Sequence, residues 1–363
     1  MTMKQFIPGL ELNRRFYHEA IKPILISDFP DLQFSAARLG SGSEVLGYDT
    51  PISTDHDWGP RLQLFMRSGD YEQFHEQVSE RLRHRLPRRF LGYPTHFGEP
   101  DHVGTRLLEE TDGPVNHRVE IWTVSGFLKD YMAYDPAQEP TVYDWLSWPQ
   151  QHLLGVTAGE LYEDGLGELI LLRRKLKRYP VDVWLYLLAA QWSRIGQEEH
   201  FVGRTGDVGD ELGSRLLASR LVHDMMMLCF LMERTYAPYS KWFGTAFARL
   251  TAAPRLIPIF LSILDAQEWR TREDYLCQAY EIVAGTHNAL GITEPLSTDV
   301  CYFHGRPFRI IDASRFVTAV KEKIKDPTVK AIKTDIGSID QFSDNTDLRS
   351  YSGLHKKLQS LYK

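Results

Sequence analysis

The chain has 363 residues, 43% apolar and 25% charged, with a formal charge of -6. This is the composition of an ordinary globular protein with room for two domains, and it excludes the disordered, fibrous and collagen-like classes. The acidic balance argues against a dedicated nucleic-acid binder, which usually carries a basic excess, while leaving room for a local basic groove.

Leu12, Phe16, Ala20 and Ile24 recur at helical spacing, which predicts an N-terminal helix ending near Asp28-Phe29-Pro30. Residues 32–39 read as a strand running into glycines. Residues 55–66 read as extended, interrupted at Gly59-Pro60. Phe74, Val78, Leu82 and Leu86 mark one face of a helix over 70–86. Residues 87–114 read as loop and 115–124 as a strand. This order predicts a first domain, 1–150, with a small mixed sheet. Helical stretches then dominate, at 167–179, 181–195, 211–235, 239–250, 255–266 and 272–290, and Pro180, Pro238, Pro254, Gly291 and a loop over 203–213 punctuate them. A helical bundle domain over 151–336 follows from this, with the Met225 run in its core. A short extended piece at 308–311 and a helix at 313–324 close it. The tail, 337–363, is polar and ends in a docked helix or a mobile segment. The expected fold class is α+β.

Cys229, Cys277 and Cys301 lie far apart without C-x-x-C spacing, and read as reduced thiols in a cytosolic protein. The first apolar run is too short for a signal peptide, and no stretch has the length to span a bilayer. The expectation is a soluble, cytoplasmic protein with no membrane partner.

The most informative stretch, 40–58, reads G-S-G-S-E-V-L-G-Y-D-T-P-I-S-T-D-H-D-W. Glycine admits positive φ, so a turn through Gly40, Ser41 and Ser43 can aim backbone N–H groups at an anion. Asp55 and Asp57 stand two residues apart, and on an extended strand their carboxylates share a face. Such a pair is a hard-oxygen site suited to Mg²⁺ or Mn²⁺ and the phosphates it carries. Arg61 follows, placed either to meet a triphosphate or to neutralise the aspartates. A solvated turn followed by an exposed Asp pair is the plain alternative.

Gly-Ser, a spacer of thirteen residues from Gly42 to Thr54, then Asp-x-Asp resembles the motif of the polymerase-β-type nucleotidyltransferases. The phrases G-S-G-S-E-V-L-G-Y-D and D-H-D-W-G-P-R also resemble a bacterial family of unknown function assigned to that superfamily. Its helical half is echoed by P-Y-S-K-W-F at 238–243 and I-D-Q-F-S-D at 339–344. The resemblance implies a nucleotidyltransferase-like N-terminal domain followed by a helical one. It assigns Gly40 and Ser41 to the phosphate-holding turn and makes Asp55 and Asp57 the metal ligands. It also asks for a third catalytic carboxylate from a neighbouring strand, for which Glu120 in H-R-V-E-I-W is placed, and for a helical-domain lysine on the nucleotide's phosphates, for which Lys241 is placed. The implied activity is transfer of a nucleoside monophosphate from an NTP to a hydroxyl of a small-molecule, RNA or protein acceptor. The chain departs from the superfamily at His56, between the aspartates, where an apolar residue is usual. On a strand that side chain would face the buried side.

Two other readings stand beside this one. The fold could serve as a nucleotide-binding or interaction protein without turnover. Alternatively His223-Asp224, with His200 before and Asp265 or Asp274 after, echoes the metal set of HD-type phosphohydrolases. Basic clusters at 81–89 and 173–178 read as solvated faces, or as a seat for RNA if they flank one cleft. Arg204 and Asp207, in the glycine-rich 203–213 stretch, either line a cleft or simply join two helices.

Overall fold

The computed structural model describes residues 6–102 and 104–363. The chain is α+β and divides into two compact units, Met1–Glu139 with His152–Lys177, and Pro140–Gln151 with Arg178–Lys363.

The first unit is built on four strands: β1 (Phe34–Arg38), β2 (Arg61–Met66), β3 (Arg118–Trp122) and β4 (Glu160–Asp164). Their order across the sheet is β3-β2-β1-β4. β1 is antiparallel to β2 and β4, and β2 is parallel to β3, so the sheet is mixed. The two central strands are buried almost throughout, as strands covered on both faces are. Ser35 is tolerated in β1 because its Oγ donates to Asp164 at 2.8 Å.

The N-terminal helical segment runs through Gly9–Phe16, a π turn at Tyr17–Ile21 and Lys22–Asp28. Its stripe of Leu12, Phe16, Ala20 and Ile24 belongs to one core with Leu62, Leu64, Val78 and Leu82. Burying each of the larger side chains contributes about 1.5–3 kcal/mol. The helix Ser68–Arg85 stops at Leu86, whose ψ of 140° is extended, because Pro87 disfavours helical geometry in the residue before it.

Several expectations need correction. The break expected at Gly59-Pro60 is present, but residues 55–58 ahead of it are not a strand. Thr50 and Ser53 cap each other at the start of a 3-10 turn, Pro51–Asp55, and Gly59 takes φ +145° before Pro60, so β2 begins only at Arg61. The stretch 87–114 carries two short antiparallel pairs, Arg89–Phe90 with Tyr93–Pro94 and His96–Phe97 with Leu108–Glu109. Two-residue strands are too short to leave a periodic signal. β4 was hidden by its composition, E-L-Y-E-D, whose acids suit an edge strand rather than a core one.

The second unit is helical. Its long helices are Val181–Glu198, Glu211–Met232 and Trp269–Ala289. Met225, Met227, Leu228, Cys229 and Phe230 are buried, as a bundle core requires. Trp192 stacks on Phe316 at 4.1 Å and donates its indole N–H to His287 Nδ1 at 3.1 Å. The expected loop at 203–213 is in large part helical: residues 203–207 belong to the helix Phe201–Asp207, which carries Arg204 and Asp207, and 211–213 open the helix Glu211–Met232. Its glycines serve close packing: a Cβ on Gly206 would stand 2.2 Å from Trp269 Cγ. Among the described residues, no helix is long and apolar enough to cross a membrane.

Glu199, 5% exposed, fastens a late segment of the chain by accepting the N–H groups of Ile311 at 2.8 Å and Ala313 at 3.2 Å. Burial pushes its carboxyl up to about 7, against the pull of those N–H groups. A carboxyl raised on folding holds more protons in the native state, so stability falls as pH rises from the ordinary glutamate range through 7. The expected loss is about 3 kcal/mol. Urea unfolding across that range should show the decline in the natural protein and a flatter profile in Glu199→Gln. Parallel profiles would mean that Glu199 titrates normally.

Candidate functional site

Because β1 and β2 are antiparallel, the end of β1 and the beginning of β2 share one edge of the sheet. Parallel β3 brings Arg118 to the same edge, in register with Arg61. The glycine-rich loop leaves β1 here. Gly40 has φ +83°, and its N–H donates to Gly155 O at 2.9 Å. Beneath the loop lies Arg38, with 3% of its side chain exposed. It donates to the carbonyls of Leu39 and Ser41 and pairs with Glu44 at 2.8 Å. Arg61 donates to the same Glu44 oxygen, Nε at 2.9 Å and Nη2 at 2.6 Å. Gly42 is required by this arrangement, since a Cβ there would stand 2.5 Å from Glu44 Oε2 and 2.8 Å from Arg38 Nη2.

The electrostatics of the cluster are lopsided. Burial alone would raise the Glu44 carboxyl, but Arg61 and Arg38 overcome it and hold the group at about 2. Burial and the neighbouring Arg38 lower Arg61 to about 10, so it stays charged at neutral pH. Two cations therefore share one anion under the loop. Among the described residues, the backbone N–H groups of Ser41, Gly42 and Ser43 donate to no backbone or side-chain acceptor. The Ser41 side chain is hydrogen-bonded to the Tyr131 phenol, which burial pushes up to about 12.

The carboxylates are arranged differently from an extended pair. Asp55 ends the 3-10 turn and lies 2.7 Å from His56 Nδ1, both side chains being more than half exposed. His56 thus faces solvent, not the core, because the segment is a turn and not a strand. Asp57 takes φ +43°, donates its N–H to Arg106 O at 3.0 Å and pairs with Arg118 Nη1 at 2.9 Å. Glu120 lies 3.8 Å from the other arm of Arg118 and accepts from Gln63 Nε2 at 3.1 Å. Gln63 Oε1 accepts the Leu39 N–H at 3.0 Å. An unbroken series of polar contacts therefore joins the root of the glycine loop, through Gln63, Glu120 and Arg118, to Asp57.

Of the residues read from the sequence, Gly40, Ser41, Ser43, Asp57, Glu120 and Arg61 belong to this sheet edge, with Arg61 committed to Glu44. Asp55 pairs locally with His56 and stands outside the series. Lys241 lies in the second unit, exposed near the start of helix Ser240–Phe247, its ammonium 5.1 Å from the Trp242 ring centre. Arg38, Glu44, Gln63 and Arg118 were missed as site residues. Opposite charges close on either side of the G-S-G-S turn, Arg38 and Glu44, were the available signal for the first two, and the i, i+2 spacing of Arg118 and Glu120, which puts them on one face of a strand, was the signal for the last.

The donor chemistry of Asp57 and Glu120 fits a hard divalent cation in kind. In arrangement, the Arg118 guanidinium already takes the cation's position between them, and among the described residues no three His, Cys, Asp or Glu side chains are grouped to hold a metal ion. The same holds for the HD-type set: His223 stacks on Phe243 at 4.9 Å, and His200 stacks on Phe303 at 4.1 Å.

Comparison with known proteins gives little more. Residues 145–243 match a family model described as a domain of unknown function, DUF4037. No curated protein matches the chain. A crystal structure of a nucleotidyltransferase-like protein from Exiguobacterium sibiricum 255-15 aligns over 96% of this chain and 90% of its own, at 11% identity and a TM-score of 0.33, a likeness too distant to bear on chemistry.

The buried cluster makes a stability prediction. Glu44→Gln keeps the shape but leaves Arg38 and Arg61 buried without a carboxylate, which is expected to cost about 3–5 kcal/mol. Since the Glu44 carboxyl is depressed on folding, its contribution is present above the ordinary glutamate range and is lost as pH falls toward 2. Denaturant unfolding at neutral pH checks the first statement. Acid unfolding checks the second: Arg61→Leu removes one of the two cations that hold the carboxyl down, so the variant should unfold at a higher pH than the natural protein, and an unchanged acid midpoint would contradict it.

Proposed function

We propose that the first unit binds a nucleoside triphosphate and moves its nucleoside monophosphate to a hydroxyl acceptor, a small molecule, RNA or protein. The observation that carries this reading is the series of contacts from Leu39 through Gln63, Glu120 and Arg118 to Asp57. It ties a loop with unspent N–H groups and excess buried positive charge to two carboxylates on the same sheet edge. The loop suits phosphate oxygens, with Gly40, Ser41 and Ser43 supplying the turn. Asp57 and Glu120, with Asp55 nearby in sequence, are the residues that would hold Mg²⁺ or Mn²⁺. Such an ion, when bound, would stabilise charge on the transferring phosphoryl group. For that, Arg118 must yield its place between the carboxylates, and its guanidinium would then be free to meet a phosphate.

The position of Arg118 also favours a second reading, a nucleotide-binding protein of this fold that does not turn over. One experiment separates the two. Mg²⁺-dependent NTP binding is measured by calorimetry, and transfer is followed with α-labelled NTPs in a cell extract. Asp57→Asn combined with Glu120→Gln should weaken Mg-NTP binding at least about tenfold, since each charge-assisted contact is worth about 1.5–3 kcal/mol. Unchanged affinity in a folded double variant would sink the nucleotide reading. Binding with no labelled product in small-molecule, RNA or protein fractions would favour the non-catalytic form.

A further inference from the structure

The second unit contains a cavity of about 750 Å³, a size typical of small-molecule sites. Helix Val181–Glu198 supplies Gln191 and Arg194, helix Glu211–Met232 supplies Arg220 and His223, and the two phrases singled out in the sequence, 238–243 and 339–344, form much of the remaining wall.

Its floor is a buried polar network. Asp224, 2% exposed, accepts Gln191 Nε2 at 3.0 Å and Arg194 Nε at 3.0 Å. Gln341 Nε2 donates to Gln191 Oε1 at 2.9 Å and to Leu187 O at 3.0 Å. Asp340, with 1% of its side chain exposed, pairs with Arg349 at 2.6 Å and accepts the Gln150 N–H at 2.7 Å. The third arginine, Arg220, pairs with Glu198. The carboxylates thus fix three guanidiniums without exhausting them. A guanidinium carries five N–H donors, and Arg194 spends only Nε and Nη2 on Asp224. Asp344 is the remaining acid on the lining, so net charge is near balance and directed N–H donors must supply the selectivity. The opposite character is present too: Phe243 is stacked with His223, and Met227 and Phe342 extend the apolar surface.

We infer that this cavity binds a small molecule bearing an oxyanion, carboxylate or phosphate, on a flat apolar body, the oxyanion held by Arg194, Arg220 and Arg349 and the body lying against Phe243. Rigid forks with spare donors match the two-oxygen edge of carboxylate or phosphate. An aromatic face beside them orients the rest of the molecule. The site lies wholly within the second unit and does not depend on where a nucleotide binds.

Calorimetry on the full chain in EDTA, which removes any metal-dependent binding elsewhere, tests this with phenyl phosphate, benzoate and inorganic phosphate as probes. Binding of phenyl phosphate or benzoate, with inorganic phosphate at least tenfold weaker for want of the apolar body, is expected. The stronger of the two aromatic probes identifies the oxyanion. Arg220→Ala removes a side chain that is 59% exposed and leaves the fold intact, and Arg349→Lys keeps the charge while removing the fork. Each should weaken binding about tenfold, with an unchanged melting temperature for Arg220→Ala. No binding of any probe at millimolar concentration, or binding indifferent to both substitutions, would overturn the assignment.

Discussion

One carboxylate, Glu44, shared by two buried guanidiniums, sets the geometry of the first unit's functional edge. Arg38 closes β1, Glu44 lies in the loop that follows, and Arg61 opens β2. Their pairing therefore ties three successive pieces of chain together. Unit charges about 4 Å apart interact by about 4 kcal/mol at an effective dielectric near 20. Two such attractions outweigh the desolvation of the carboxylate, and this is why Glu44 stays ionised despite its burial. The triad retains one net positive charge directly beneath a glycine loop.

That residual charge has a consequence for the loop above it. Arg38 spends two donors on the carbonyls of Leu39 and Ser41, which fixes those peptide oxygens toward the sheet. A trans peptide points its N–H opposite its C=O, so the inward Ser41 carbonyl turns the Gly42 N–H the other way, and that N–H, like those of Ser41 and Ser43, takes no backbone acceptor among the described residues. Gly42 cannot be replaced without pushing on the ion pair. Loop shape, charge and glycine content are thus one constraint expressed three ways.

The periodic parts of this fold were legible in the sequence. The stripe of Leu12, Phe16, Ala20 and Ile24, the helix through Val78 and Leu82, and the apolar run around Met225 are buried as their spacing requires. What escaped was set by contacts distant in sequence. β4 has no apolar signature because it is an edge strand completed by pairing with β1. The glycines of 203–213 read as loop because the sequence cannot say that Gly206 is pressed against Trp269. Asp55 and Asp57 were read as a strand pair from their spacing alone. A proline-initiated turn with a reciprocal Thr50–Ser53 cap overrode that spacing, and Arg118, sixty-one residues away from Asp57 in sequence, decided which carboxylates meet.

Both units bury arginine–carboxylate pairs, and the reason differs between them. In the first unit, the Arg38–Glu44–Arg61 cluster joins strand ends that would otherwise be held only by a loop, so a structural role suffices for it. In the second unit, Asp224 and Asp340 lie among helices already packed by apolar contacts. Replacing a buried ion pair with well-packed apolar residues is often neutral or stabilising by about 1–4 kcal/mol, so helix packing gives no reason for these two pairs, Asp224 with Arg194 and Asp340 with Arg349. Nor does it explain why Arg194, Arg220 and Arg349 all line the same cavity. Carboxylates that hold Arg194 and Arg349 in place on the cavity lining, without using all their N–H donors, are what an oxyanion site needs before its ligand arrives, because much of the ordering of those arginines is then complete in the free protein.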